Sequence, residues 1–202
     1  ITGTDAANPR HYVDPRGSGT VSGNPNGHIL RLREGGDNPA ATAFVWDIYL
    51  FGADSIDAPA SVNISGLTAD NDFSSPDGLW FDDRGILWVQ TDISTSIVSR
   101  PLAERGDYRN IGNNQMLAYD AVDGTFKRFL TGPRGCEITG ATMTPDSTTM
   151  FINVQHPGES PSERSDPDAP SKISNWPDHQ QGGRPRSATV VIRKLDGGVI
   201  GS

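Results

Sequence analysis

The feature that most constrains the fold of this chain is a recurring pair of short apolar runs around a polar turn. Four copies follow one another, spanning residues 78–90, 116–129, 138–154 and 188–200. In each copy the turn contains Asp followed by Gly or Ser, residue types that favour turns for conformational and hydrogen-bonding reasons. An earlier pair of runs, at residues 28–32 and 44–49, is joined by a longer loop. The pattern predicts successive antiparallel β-hairpins.

The composition agrees with short strands rather than long helices. The 202 residues include 23 Gly and 15 Pro, and only 34% are hydrophobic. Glycine carries a high entropic cost in a helix and proline lacks the amide donor, so both disfavour helical segments. At this length the chain can still bury one sizeable core.

The hairpins also recur in pairs. Leu87 and Met150 hold equivalent places in two hairpins and are 63 positions apart, which leaves room for four strands in each unit. Repeated four-stranded units are typical of a β-propeller, whose smallest closed form has about four blades. We therefore predict an all-β fold, a partial β-propeller of roughly two to three four-stranded blades. A β-sandwich of short strands is the alternative architecture.

One stretch interrupts the hairpins. Residues 157–186 contain six prolines together with several Ser and Asp. A segment of this composition cannot keep regular structure for long, and loops of this length are commonly functional or disordered. We predict a loop excursion over one face of the propeller, placed in the middle of the last blade.

Charge and cysteine content exclude several classes of function. The net charge is −8 and no Lys/Arg run occurs, whereas a nucleic-acid-binding protein needs a basic surface, so nucleic acid is not an expected partner. Cys136 is the single cysteine, which excludes an intrachain disulfide and a CxxC zinc site. No apolar run reaches the length of a membrane span. Oxygen-rich Asp and Asn side chains suit hard cations such as calcium.

Several ordered motifs give a specific resemblance. They are residues 24–31 (NPNGHILR), 73–79 (FSSPDGL), 87–92 (LWVQTD), 135–140 (GCEITG), 151–159 (FINVQHPGE) and the ending 196–202 (DGGVIGS). In order and spacing they resemble the PhoX-type alkaline phosphatase family. The resemblance covers nearly all of residues 1–202 but only about the last third of a family member, which implies that the chain is the C-terminal part of a single β-propeller domain.

The resemblance implies an exported enzyme, periplasmic or secreted, that hydrolyses phosphate monoesters at alkaline pH. It implies a site of two oxide-bridged irons (Fe³⁺) with calcium ions (Ca²⁺), bound by carboxylates and one cysteine. That cysteine and several phosphate-binding residues are expected upstream, in a remaining N-terminal part of the propeller. Cys136 is then not assigned to iron, and we expect little activity from residues 1–202 alone.

Three carboxylates are candidate metal ligands. Asp77 follows Pro76 at the start of a predicted strand, Glu137 occupies the corresponding strand start in the next unit, and Asp92 follows the strand that ends at Thr91. Metal ions could neutralise the phosphoryl oxygens and hold the attacking and leaving groups in line. The alternatives are a turn aspartate at Asp77, a salt bridge from Glu137 to Arg134 or Arg10, and for Asp92 a structural role or a role as acceptor from a metal-binding residue.

Two residues are candidates for contact with the phosphate. Arg10 could bind its oxygens, and His156, at the end of a predicted strand, could contact phosphate or orient a carboxylate. Arg31 is a further basic group considered for phosphate contact. A lone histidine is more commonly a hydrogen-bonding residue of the fold, and that reading is the default for His156.

Two other functions stay open from the sequence. One is a non-catalytic, calcium-stabilised propeller that binds protein or polysaccharide. The other is a calcium-propeller hydrolase such as a lactonase, because residues 76–78 (PDG) are similar to a turn of that superfamily. Iron together with calcium would favour a phosphatase, calcium alone a lactonase, and neither metal a binding module.

Overall fold

The structure, a computed structural model, describes residues 26–160 and 166–202, and within them the chain is built from antiparallel sheets. The strands in these ranges are β1 His28–Glu34, β2 Phe44–Phe51, β3 Pro76–Phe81, β4 Ile86–Thr91, β5 Gln115–Asp120, β6 Phe126–Thr131, β7 Glu137–Met143, β8 Thr149–Gln155 and β9 Ala188–Arg193. They form sheets of two, four and three strands. The all-β prediction is confirmed.

Helices within the described ranges are short. A four-residue helix, α1, spans Thr95–Val98, and three 3₁₀ turns span Gly35–Asp37, Leu102–Glu104 and Gly106–Tyr108. All of them lie in connections between strands. The scarcity of helix follows from the Gly- and Pro-rich composition noted above.

The second sheet confirms the first two predicted hairpins and joins them. Its strand order is β3-β4-β5-β6, so each strand pairs with its neighbour in sequence. The β3–β4 turn is fixed by Asp82, whose side chain accepts hydrogen bonds from the backbone amides of Arg84 and Ile86 at 2.9 and 3.1 Å. The grouping of two hairpins into one four-stranded unit is the arrangement that the sequence pattern predicted.

The third sheet confirms one predicted hairpin and corrects another. β7 and β8 pair as expected, but β9 pairs with β8 rather than with residues 199–200. Val199 and Ile200 lie outside any strand, and the Ile200 amide donates to the Ser147 carbonyl oxygen at 2.9 Å. The physical reason is that Ile200 is buried in the core and β8 offers a free edge to β9. Turn chemistry followed by an apolar dipeptide is therefore insufficient to define a hairpin.

The second sheet packs on both sides. Leu87 and Val89 of β4 belong to a core cluster shared with Ile29 of the first sheet. Trp88, between them, points to the opposite face and packs in a second cluster with Ile138 of β7. This alternation is the two-residue period of a strand buried on both faces. The second cluster brings β4 alongside β7, which decides where the strand ends meet; the arrangement of the sheets as propeller blades stays a prediction.

Candidate functional site

Asp77 and Asp92 lie at one end of the second sheet. Asp77 is the second residue of β3, Asp92 directly follows β4, and Pro76 pairs with Thr91 across the two strands. The Asp92 amide donates to the Ser75 carbonyl oxygen at 3.0 Å, which extends the pairing past the strand ends. Because the start of β3 pairs with the end of β4, both carboxylates lie at the same edge of the sheet. Each carboxylate occupies the strand position that the sequence predicted.

Gly78, the residue after Asp77, lies where the structure has no room for a side chain. A Cβ added at Gly78 would lie 2.5 Å from Oε1 of the buried Gln90. A side chain here would collide with a residue of β4 that has little room to move. Gly78 thus lets the backbone beside Asp77 approach β4 closely.

Glu137 and His156 occupy the equivalent end of the third sheet. Glu137 begins β7, His156 directly follows β8, and Glu137 pairs with Gln155. Both β3 and β4 contact β7, so the ends of the two sheets lie side by side. The structure thereby brings together four of the five residues proposed from the sequence; Arg10 lies outside the described residues.

We call Asp77, Asp92, Glu137, His156 and Glu159 the acidic edge, because their charges act on one another. Burial raises the pKa of Asp92, and the negative charges of Asp77 and Glu159 raise it further, while His156 lowers it. Burial likewise raises the pKa of Glu137, with Asp92 and Asp77 adding to the increase and His156 opposing it. Such mutual repulsion is what a bound cation would relieve.

His156 is held between two carboxylates. Its Nε2 lies 3.4 Å from Oε2 of Glu137 and its Nδ1 lies 3.3 Å from Oε2 of Glu159. Nδ1 also lies 3.3 Å from the Gly135 carbonyl oxygen, and the His156 amide donates to Oγ of Ser187 at 3.0 Å. A neutral imidazole has one N–H and can donate from one nitrogen only, whereas an imidazolium donates from both. The contacts suit the orienting role considered for His156.

The backbone of His156 is in the left-handed region, with a φ of 38°. This conformation is uncommon for a residue with a side chain and is found where surrounding contacts over-determine it. It turns the chain sharply after β8 and brings Glu159 back towards the imidazole ring. The structure thereby adds Glu159, which the sequence did not single out, to the candidate site.

Two residues missed from the sequence support the edge. Glu159 lies three positions after His156, a spacing that could have suggested a contact within one turn. Gln155 donates from Nε2 to Oε2 of Glu137 at 3.0 Å. Its side chain is placed by the β7–β8 register, which the sequence pattern did not specify.

The proposed salt bridge of Glu137 with Arg134 is not formed. Within residues 26–160 and 166–202, the side chain placed for an ion pair with Glu137 is that of His156, and Arg134 makes no ion pair. The guanidinium of Arg31 is also engaged elsewhere, at 2.8 Å from Oδ2 of Asp47 and over the ring of Tyr49. Arg31 is therefore bound to a structural partner in β2.

Cys136 lies beside Glu137 but faces the opposite way. Its side chain is buried in the second core cluster, and burial raises the pKa of the thiol to about 12. A thiol in this environment stays protonated and is a poor metal ligand. This agrees with leaving Cys136 unassigned to iron.

The donor atoms of the acidic edge are of the right kind for hard cations, but they are incomplete as a metal centre. Carboxylate oxygens are the ligands that calcium prefers, and they also bind ferric iron. In the part of the chain that the structure describes, however, no three His, Cys, Asp or Glu residues are placed so that they could hold a metal ion together. The acidic edge can therefore supply only part of a ligand set, and the other ligands would have to come from outside the described residues.

A cavity of about 510 Å³ adjoins the acidic edge at His156 and Glu159. Its other walls come from α1 and from the long segment between β8 and β9. The described lining residues are Thr95, His156, Pro157, Gly158, Glu159, Ser160, Asp166, Ala169, Pro170, Lys172, Ile173, Arg184 and Pro185. Its volume is in the range of small-molecule sites.

None of the described helices is long and apolar enough to cross a membrane.

Comparisons with known proteins agree with this picture. The model of the family described as "Alkaline phosphatase PhoX" matches residues 1–158. A solved structure described as Pseudomonas fluorescens PhoX in complex with vanadate, a transition state analogue, is 36% identical to this chain with a TM-score of 0.73. The match covers 92% of this chain and 31% of that chain. The comparison with curated proteins gave no match.

Proposed function

The chain belongs to the PhoX alkaline phosphatase family, and from this we propose that it contributes to hydrolysis of phosphate monoesters. Because it spans 31% of the length of the Pseudomonas enzyme, the activity is proposed for an assembly in which this chain supplies one part of the site. We propose that the remaining, N-terminal part of the propeller supplies the rest. An exported location, periplasmic or secreted, is proposed from family membership.

The single observation that supports this function is the convergence of carboxylates at one edge. Asp77, Asp92 and Glu137 come from two different sheets, and burial raises the pKa of Asp92 and of Glu137, with the negative charge of Asp77 adding to both increases. Within the described residues, no Lys or Arg pairs with any of the three. A protein that merely needed a solvated surface would gain nothing from this crowding, whereas a cation-binding site requires it.

We propose that each of these carboxylates would contribute an oxygen ligand to a site for Ca²⁺ and Fe³⁺ whose other ligands come from outside the described residues. When bound, the cations would neutralise the phosphoryl oxygens and activate the nucleophile. Asp77 and Asp92 would provide oxygen ligands from β3 and the end of β4, and Glu137 would provide one from β7.

His156 would act as a positioning residue. Its contacts with Glu137 and Glu159 fix the direction of both carboxylates, and its own ring is fixed through the Gly135 carbonyl oxygen and the backbone contact with Ser187. Groups that orient metal ligands in this way commonly change metal affinity or activity by about 10- to 100-fold when removed. Direct contact between His156 and phosphate, and the phosphate-binding role of Arg10, remain part of this proposal.

The test is a chimera in which this chain replaces the matched region of the Pseudomonas enzyme. We expect the chimera to hydrolyse p-nitrophenyl phosphate, to contain calcium and iron by elemental analysis, and to lose activity on chelation. Asp77→Asn and Glu137→Gln should each lower kcat/KM at least about 10-fold, because a metal ligand is weakened. The 202-residue chain alone should show little turnover.

Asp83→Asn is the matched control, since Asp83 is an exposed residue of the β3–β4 turn, at the far end of the same strands. A folded chimera without metal or activity would refute the proposed function. A chimera that is active but equally tolerant of changes at Asp77, Glu137 and Asp83 would show that the acidic edge lies outside the catalytic site. Full turnover by the 202-residue chain would show that the site needs nothing more.

A further inference from the structure

Residues 156–160 and 166–187, the described parts of the segment between β8 and β9, supply most of the described lining of the cavity beside the acidic edge. Its apolar lining comes from Pro170, Ile173 and Pro185, and its inner end reaches His156 and Glu159. We call this space the loop cavity. A volume of about 510 Å³ exceeds what a phosphate group alone requires and lies in the range that accommodates small organic ligands. The loop cavity thus offers room for carbon-containing parts of a ligand next to the carboxylates.

Arg184 gives the loop cavity a cationic group without a charge partner. Within residues 26–160 and 166–202, the Arg184 side chain makes no ion pair or hydrogen bond. Arg186, two positions further on, contrasts with it because its guanidinium pairs with Asp178 at 2.7 Å. A guanidinium binds carboxylate and phosphate groups through two parallel hydrogen bonds, so an unpaired one in a cavity wall suits an anionic ligand.

The acidic residues of the same lining already have partners. Glu159 contacts the imidazole of His156 at 3.3 Å, and Oδ1 of Asp166 accepts a hydrogen bond from the Asp168 amide at 3.0 Å. Lys172 also lines the cavity and has an interaction of its own. Of the two basic lining residues Lys172 and Arg184, Arg184 is the one without an ion pair or hydrogen bond in the described part of the chain.

We propose that the loop cavity binds the alcohol part of the phosphate monoester, and that Arg184 favours esters whose alcohol carries a second anionic group. This inference rests on the proposed function, since it places the phosphate at the acidic edge and the rest of the substrate in the adjoining cavity. The apolar walls contact the carbon skeleton, and the guanidinium binds the second carboxylate or phosphate. The inference concerns specificity and assigns Arg184 no part in the chemical step.

Two esters that differ in the relevant group test the assignment in the chimera described above. 3-Phosphoglycerate carries a carboxylate where glycerol 3-phosphate carries a hydroxymethyl group. Arg184→Gln should lower kcat/KM for 3-phosphoglycerate about 10-fold, the loss expected for a charge-assisted hydrogen-bonded pair, and change that for glycerol 3-phosphate less than about 2-fold. Arg186→Gln, which removes the same charge from the same loop, should leave the ratio of the two values unchanged.

A binding measurement separates this inference from the proposed function. Calorimetric titration of the 202-residue chain with each ester should show tighter binding of 3-phosphoglycerate, and Arg184→Gln should abolish the difference. If neither ester is hydrolysed but this difference is found, the proposed function fails and the assignment of the cavity stands. Equal affinities in the unmodified chain, or a preference that survives Arg184→Gln, would overturn the assignment.

Discussion

The buried carboxylates that pair with arginine and those of the acidic edge have opposite surroundings. Asp82 and Asp72 are buried, and each is paired with an arginine, Arg84 and Arg128, at 2.6 Å. Asp92 and Glu137 instead lie within reach of the negative charge of Asp77, which raises the pKa of both in addition to the effect of burial. Asp77 and Asp82 lie near opposite ends of the same strand, β3, so the difference between these two is due to their partners rather than to the fold around them.

Asp82 shows how hydrogen bonds and an arginine compensate a buried charge. Burial alone would raise its pKa, but hydrogen bonds from Arg84, Trp88 and the backbone amides of Ile86 and Arg84 outweigh this and lower it. Burial of Asp72 raises its pKa despite hydrogen bonds from Ser55 and the charge of Arg128. Its cost is thus reduced but not cancelled.

The two groups of carboxylates therefore differ in their effect on the stability of the fold. A carboxylate whose partners are all supplied by the chain stabilises the fold, whereas one held near like charges weakens it until another cation is present. Sites of the second kind are commonly functional, because a fold retains such a cost only where binding or catalysis needs it. Three measurements test this difference and one tests the packing of the core beside Glu137, taken in order of decreasing effect.

Removing a buried carboxylate that pairs with arginine should cause the largest loss in the free energy of unfolding. Asp82→Ala leaves the Arg84 guanidinium and the Trp88 indole N–H without their acceptor and loosens the β3–β4 turn. We expect a loss of about 3 kcal/mol in the free energy of unfolding, measured by urea denaturation. Asp83→Ala, at the neighbouring exposed position, should cost less than about 0.5 kcal/mol. Similar losses for the two variants would contradict the structural role of Asp82.

The core directly behind Glu137 should tolerate no added volume. A Cβ at Gly132 would meet Sγ of Cys136 and, at 2.7 Å, Cδ1 of Ile138. We expect Gly132→Ala to lower the free energy of unfolding by about 2 kcal/mol, because a packed core must then shift. Gly112→Ala is the control, since a Cβ added there would meet nothing within 4 Å in the described part of the chain, apart from its sequence neighbours. Equal stability of the two variants in urea denaturation would show that this core is loosely packed.

Removing a carboxylate from the acidic edge should instead raise the stability of the metal-free chain. Asp92→Asn removes a charge that raises the pKa of Glu137, so in the presence of chelator the thermal midpoint should rise by about 1–3 °C. In excess calcium the unsubstituted chain should gain more than the variant, because the variant has lost an oxygen ligand. A variant that is less stable than the parent without metal would show that Asp92 has a structural partner.

The smallest effect should be a dependence of metal-free stability on pH. The folded-state pKa values of Asp92 and Glu137 are raised, so the folded chain binds more protons than the unfolded chain in this range. Stability should therefore fall as the pH rises from the ordinary carboxyl range through the raised values. The charges of Asp77, His156 and Glu159 act on one or both of these groups, so the informative quantity is a difference in stability between variants.

Thermal midpoints of the parent and of the double variant Asp92→Asn/Glu137→Gln, measured with chelator between about pH 4 and pH 7, test this dependence. The advantage of the double variant should be small at the acidic end of this interval and grow towards neutral pH. A constant difference across the interval would show that the two carboxyl groups do not titrate differently in the folded and unfolded chains.

Much of the strand pattern could be predicted from the sequence, because it is written in local chemistry. Apolar runs around polar turns or a longer loop located β1 to β9, and Pro76 marked the start of the strand that carries Asp77. The local signal failed at residues 199–200, where two apolar residues after a turn bury a side chain instead of forming a strand. An apolar dipeptide is compatible with either outcome.

The candidate site was predictable residue by residue but not as an arrangement. The sequence placed Asp77, Asp92, Glu137 and His156 at strand ends, and the structure confirms those positions. It gave no sign that Arg31 is paired with Asp47 or that Glu159 reaches His156. These contacts depend on strand register and on the left-handed backbone of His156, which no local pattern specifies.

By itself, the sequence determined the class of fold, the position of most strands and the chemistry of the groups at their ends. Only the tertiary structure decided that the ends of β3 and β4 lie beside those of β7 and β8. It did so because Trp88 and Ile138 share one core cluster, so the packing of apolar faces fixes how the sheets meet. Charge crowding at the acidic edge is a consequence of that packing, since electrostatic repulsion depends on distance in space rather than along the chain.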